Sequence, residues 1–211
     1  MKGGVNLEEY KELPRGLSEL VFASLIGTGE MTFSSNGLQT MFYFESEKKK
    51  ILKRYVYKYK LNEYVKINEK RNQCFIYIPS TYNPIYFRWY DENDRKKVNH
   101  KDINLYIVLL SFLLFGYKKL GYVEMRSTVN PYYSKSTAYY LEKLIGTYID
   151  TSQYGFKIFE SEKLFVLATQ YFSIEEMNEF MSFMNKREKS KIADYLKRYE
   201  QRYFKREVDV L

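Results

Sequence analysis

The chain has 211 residues and a mass of 25.5 kDa, enough for one compact domain or two small halves. With 28% charged and 45% hydrophobic residues, global disorder is excluded. Cys74 and His100 are the lone residues of their types, which excludes an internal disulfide, a zinc finger and a Cys–His protease.

Thirty-four basic side chains against 26 acidic ones give a net charge of +8, which favours a partner that carries phosphates. Phe, Tyr, Met, Ile, Asn and Lys together number 94, against 28 for Gly, Ala, Arg and Pro. Residues with AT-rich codons therefore dominate, and an organelle genome is one source of that bias. Residues 1–14 carry neither a secretory core nor an Arg-rich transit pattern. These features fit an organelle-encoded protein, and an AT-rich bacterium, phage or virus equally.

In chain order, a buried helix is expected from about Leu17 to Gly27. A hairpin follows, with strands Glu30–Ser34 and Gln39–Phe44 joined by the turn Ser35-Asn36-Gly37. Alternation puts Met31, Phe33, Phe42 and Phe44 in the core and Thr32, Ser34, Gln39, Met41 and Tyr43 on the open face. Ser46 is expected to cap a helix running to about Lys60. A second hairpin, Tyr64–Asn68 and Gln73–Ile78, turns at residues 69–72. Its polar face holds Lys66, Asn68, Gln73 and Tyr77, and a helical segment from about Asn83 to Tyr90 closes the half.

The most apolar stretch, Leu105–Gly116, spans twelve residues. A membrane span needs about 20, so a wholly buried helix is expected. The order of elements then repeats. Gly116 matches Gly27, residues 134–136 match residues 46–48 as helix openers, and Gly155–Glu160 matches Cys74–Pro79. The first hairpin of this second half is clipped, with room for only a stub strand between Gly116 and Tyr122. Ser173, with Glu176 three residues on, is expected to cap a helix to about Met184. Residues 186–207 hold nine Lys or Arg and four Asp or Glu, and read as a charged helix able to contact phosphates.

The stretch Phe22–Met31, the looser Leu109–Gly116, the strand-to-helix phrase Phe42–Lys48 and the aromatic–basic link Trp89–Lys97 together resemble the LAGLIDADG homing endonucleases and maturases in their single-chain, two-repeat form. The resemblance implies an α+β fold of two pseudo-symmetric repeats, with antiparallel saddle-shaped sheets and helices packed on one face. The expected divisions are 8–92, 101–184 and a basic helical tail, 186–211.

In that family one acid from each motif helix meets at the twofold axis and holds divalent metal for phosphodiester hydrolysis. Here those positions fall on Thr28 and Phe115. Neither supplies the anionic oxygens that Mg²⁺ requires, so no catalytic residue, metal or other cofactor is expected. Glu30, two residues late, is a weak substitute. Lys97 matches a family lysine near the scissile phosphate and, without the acids, becomes a phosphate contact.

The resemblance also implies that the hairpins lie against nucleic acid. The expected contacts are Thr32, Ser34, Gln39, Tyr43, Lys66, Asn68, Arg71 and Gln73, with Lys97, Arg126 and Lys157 and, in the tail, Lys186, Arg187, Lys197 and Arg198. The expected function is non-cleaving nucleic-acid binding, with RNA favoured over DNA, in a ribosome or on a group I intron, and with no membrane partner; taken with the composition, the resemblance leads to the expectation of a mitochondrial, organelle-encoded protein. The alternative is an active, site-specific DNA endonuclease.

Overall fold

The structure, a computed structural model, describes residues 13–119 and 121–172, together with the tail positions Lys186, Lys189, Ser190, Ala193, Asp194 and Lys197. Helix α1 (Arg15–Ile26) leads into the hairpin β1 (Glu30–Ser34) and β2 (Gly37–Tyr43). A 3-10 turn at Ser46–Lys48 opens α2 (Lys49–Lys58), followed by β3 (Val65–Asn68), β4 (Gln73–Pro79) and α3 (Pro84–Trp89). The order then recurs as α4 (Leu105–Phe115), β5 (Gly116–Lys119), β6 (Tyr122–Arg126), α5 (Pro131–Ile145), β7 (Ile149–Ser152), β8 (Gly155–Ile158) and α6 (Ser161–Ala168).

Each half carries one four-stranded antiparallel sheet, ordered β1-β2-β4-β3 and β5-β6-β8-β7. The identical strand order makes the halves topological copies. The second copy has the shorter first hairpin, as its cramped sequence requires.

Local chemistry sets the element ends. The Asn104 side chain accepts from Ile107 N at 3.0 Å and caps α4. Asn130 does the same for α5, where Pro131 takes the first helical position and Gly146, at φ +73°, closes the helix in the left-handed region. The tight turn into β2 needs Gly37, whose φ of +141° is paired with a carbonyl, that of Ile78, where a side chain would go.

Helices α1 and α4 are buried on nearly every side and pack against each other at the centre. Around them the inner sheet faces contribute Leu38, Phe42, Ile76, Ile78, Met125, Phe156 and Ile158 to one continuous core that spans both halves. Full burial of each such side chain is worth about 1.5–3 kcal/mol. The dry environment of α4 is thus protein, and among the described residues no helix is long and apolar enough to cross a membrane.

Several local expectations need correction. Phe33 is 52% exposed. It sits at the end of β1, where the core has run out, and packs on Tyr86 and Phe87 of α3. Ser46 caps nothing; its hydroxyl accepts from Asn72 instead. Ser134 lies in the first turn of α5 rather than opening it, because Asn130-Pro131 starts the helix three residues earlier. Helix α6 closes the second half as the repeated order requires, but at residues 161–168, to which no helix was assigned, while the helix expected after Ser173 lies outside the described residues.

Candidate nucleic-acid interface

The strand register brings the first-half candidates onto one surface. Thr32 pairs with Gln39, which pairs with Tyr77; Glu30, Met41, Phe75 and Lys66 form the next row; Tyr43, Gln73 and Asn68 form the third. All point away from the core, because Met31, Leu38, Thr40, Phe42, Cys74 and Ile76 alternate with them and are buried. Ser34 lies at the hairpin end, exposed, and Arg71 is exposed in the β3–β4 turn. Tyr43 accepts from Gln73 Nε2 at 2.9 Å, and Lys66 Nζ lies 5.2 Å from the Tyr77 ring centre.

In the second sheet, Arg126 and Lys157 share the open face. Arg126 stands 4.3 Å from the Tyr117 ring centre and 3.9 Å from Glu45 of the first half. Lys157 lies 5.4 Å from the Tyr122 ring centre. Glu124, between them on the same face, is 8% exposed and accepts from Ser152 at 3.0 Å. In the tail, Lys186 and Lys197 are helical and exposed, while Arg187 and Arg198 lie outside the described residues.

The centre is built where α1 ends. Its last carbonyls lack helical partners and are satisfied from across the seam. Ser127 Oγ donates to Ile26 O at 2.6 Å, and Thr128 N donates to Gly27 O at 3.0 Å. The ring of Phe115 covers Gly27 so closely that a Cβ there would fall inside it; the same ring meets Phe42 edge-on at 5.3 Å.

The decisive side chain is Lys96, which is 4% exposed. Its ammonium donates to Gly29 O at 2.7 Å, to Gly27 O at 3.2 Å and to the hydroxyl of Thr128, and lies 3.5 Å from Glu30 Oε1. Burial pushes its pKa down to about 8, against the pull of Glu30. Glu30 is also held by the Tyr90 hydroxyl at 3.1 Å. Sequence reasoning singled out the neighbour, Lys97, which is half-buried and bonds through its backbone to Trp89 O. The two adjacent lysines differ only in side: the short bridge between Tyr90 and Lys96 turns Lys96 inward, and no composition signal marks that.

A second clasp joins the halves nearby. The Asp91 carboxylate accepts from Tyr133 at 2.7 Å, from the backbone of Asn93 and Arg95, and from Arg95 Nε at 2.8 Å. Burial works against its charge, but these donors prevail and hold the carboxyl well below the usual carboxylate range.

The residues at this centre do not fit a divalent metal. Thr28 offers one neutral hydroxyl, buried and without a partner, Phe115 offers a ring, and the Gly27 and Gly29 carbonyls are already engaged by an ammonium. The one carboxylate, Glu30, is paired to that same ammonium. Among the described residues no three His, Cys, Asp or Glu side chains gather as a metal would require.

No family model matches the sequence, and no curated protein matches it. Among solved structures, the chain is similar to the homing endonuclease I-WcaI bound to its DNA recognition sequence. The identity is 12% and the TM-score 0.55, over 84% of this chain and 95% of that one. The α+β fold, with its paired four-stranded sheets, is thus a homing-endonuclease fold.

Proposed function

We propose that the protein binds structured RNA on its open sheet faces and does not cleave it. The observation that carries the reading is the centre. A fold shared with a DNA-bound endonuclease here joins its halves through Lys96, with Thr28 and Phe115 at the positions where the LAGLIDADG resemblance puts acids. Phosphodiester hydrolysis with metal needs anionic oxygen ligands and an activated water. An ammonium and a phenyl ring supply neither.

Binding has independent support. The chain is strongly basic, and its exposed first-sheet strands present hydroxyl and amide groups, with Lys66 among them, in rows suited to base edges. A role in an organellar ribosome or on an intron, in mitochondria, extends this reading. The clipped β5–β6 hairpin, at four and five residues against five and seven in β1–β2, makes a symmetric grip on a long duplex poor.

The test is a binding series with transcribed intron and ribosomal RNA, in EDTA and in Mg²⁺, with the RNA analysed afterwards and a plasmid library incubated with the protein in parallel. Salt-sensitive binding that survives EDTA and leaves the RNA intact is expected. Site-specific double-strand cutting of DNA in Mg²⁺ would overturn the proposal.

A further inference from the structure

The open faces are poor in net charge for a protein of +8. On the strands themselves they carry four cations, Lys66, Lys119, Arg126 and Lys157, against three carboxylates, Glu30, Glu124 and Asp150. Three of those cations lie over aromatic rings, those of Tyr77, Tyr117 and Tyr122. A surface that gripped a duplex would need on the order of six to ten cations spent on phosphates. This one spends its cations on its own rings.

The rings themselves form a line. At the outer end of the second sheet, Tyr122 of β6, Phe159 just beyond β8 and Tyr148 just before β7 cross three neighbouring strands. Tyr122 and Phe159 have ring centres 5.7 Å apart; Phe159 and Tyr148 are 6.4 Å apart and inclined by only 18°. They project from the open face, because Val123, Ile158 and Ile149 alternate with them and are buried. Tyr148 is 61% and Phe159 46% exposed, a cost in exposed apolar area that the fold itself does not require. Lys157 sits beside the row.

We infer that the row Tyr122–Phe159–Tyr148 is a stacking platform for unpaired bases of single-stranded RNA. The inference rests on the RNA-binding reading above and specifies its mode. Flat rings on an antiparallel sheet take unpaired bases in any sequence, because every base has a π-face. A duplex hides those faces in its own stack. The cations already seated on rings add attraction for a stacked base and its phosphate without demanding a regular phosphate spacing.

The test uses the full chain and fluorescence anisotropy with an unstructured RNA of roughly 12 nucleotides, a length within the range such sheets occupy, the same RNA as a duplex, and the matching single-stranded DNA. The single-stranded RNA is expected to bind about ten-fold or more tightly than the duplex. Phe159→Ala and Tyr148→Ala are each expected to weaken it by roughly ten-fold, whereas Phe159→Tyr and Tyr148→Phe retain affinity. Equal or tighter duplex binding, or alanine variants that bind like the parent, would overturn the platform while leaving RNA binding intact. Single-stranded DNA bound more tightly than RNA would overturn the choice of RNA. Failure to bind any of the three would overturn this inference; the RNA-binding function falls with it only when intron and ribosomal RNA also fail to bind.

Discussion

The ring of Phe115, the last residue of α4, lies directly over the α-carbon of Gly27, the residue that ends α1. The two central helices therefore meet through a glycine and an aromatic ring. Gly27→Ala should place a methyl group inside that ring and destabilise the protein by about 1–3 kcal/mol, the range for overpacking. Chemical denaturation measures it. Adding Phe115→Leu should recover part of the loss, since neighbours that share one space are not additive.

Lys96 supplies the second link across the seam. Lys96→Met keeps the bulk but removes the donor to Gly29 O, while Gly27 O keeps Thr128 N. A net loss of about 1–3 kcal/mol is expected for the orphaned carbonyl, offset in part by the charge no longer buried. The pH dependence has a definite sign. The folded pKa, about 8, lies below the ordinary lysine value of 10.5, so between those values the unfolded chain holds more protons. Stability of the parent should rise relative to Lys96→Met as pH goes from 8 to 10.5. Paired urea titrations across that window check it; a parent that loses ground there contradicts the assignment.

Lys66 on β3 is exposed beside the Tyr77 ring. If it contacts a phosphate, Lys66→Ala should weaken RNA binding evenly across sequences and lower the salt slope by about one. If it only braces Tyr77, affinity falls while the slope stays. Anisotropy titrations between ~50 and ~200 mM salt separate the two.

Much of the architecture was legible because its signals are local and periodic. Alternation in Gln39–Phe44 and Gln73–Ile78 fixed both strands and their faces, and the apolar run 105–115, interrupted only by Ser111, marked a helix buried on nearly all sides. Phe33 misled because alternation assumes that the core extends under the whole strand, and at the end of β1 it does not. The repeated order called for a closing helix, but the position of α6 was missed because Ser161–Ala168 is only eight residues long and lacks a side-chain cap. At the centre, Thr28 and Phe115 were identified by position alone. Lys96 was not, because its burial depends on contacts with residues 27, 29 and 128, which no window of sequence reveals.

Lys96 and Phe115 close the centre to any divalent ion. Electron paramagnetic resonance of Mn²⁺ titrated with the protein at micromolar concentration tests this directly. The free-ion signal should persist undiminished at one equivalent of protein. Stoichiometric loss of that signal, reversed by Mg²⁺ and abolished by Glu30→Gln, would show a metal held at the seam and a centre open to hydrolytic chemistry.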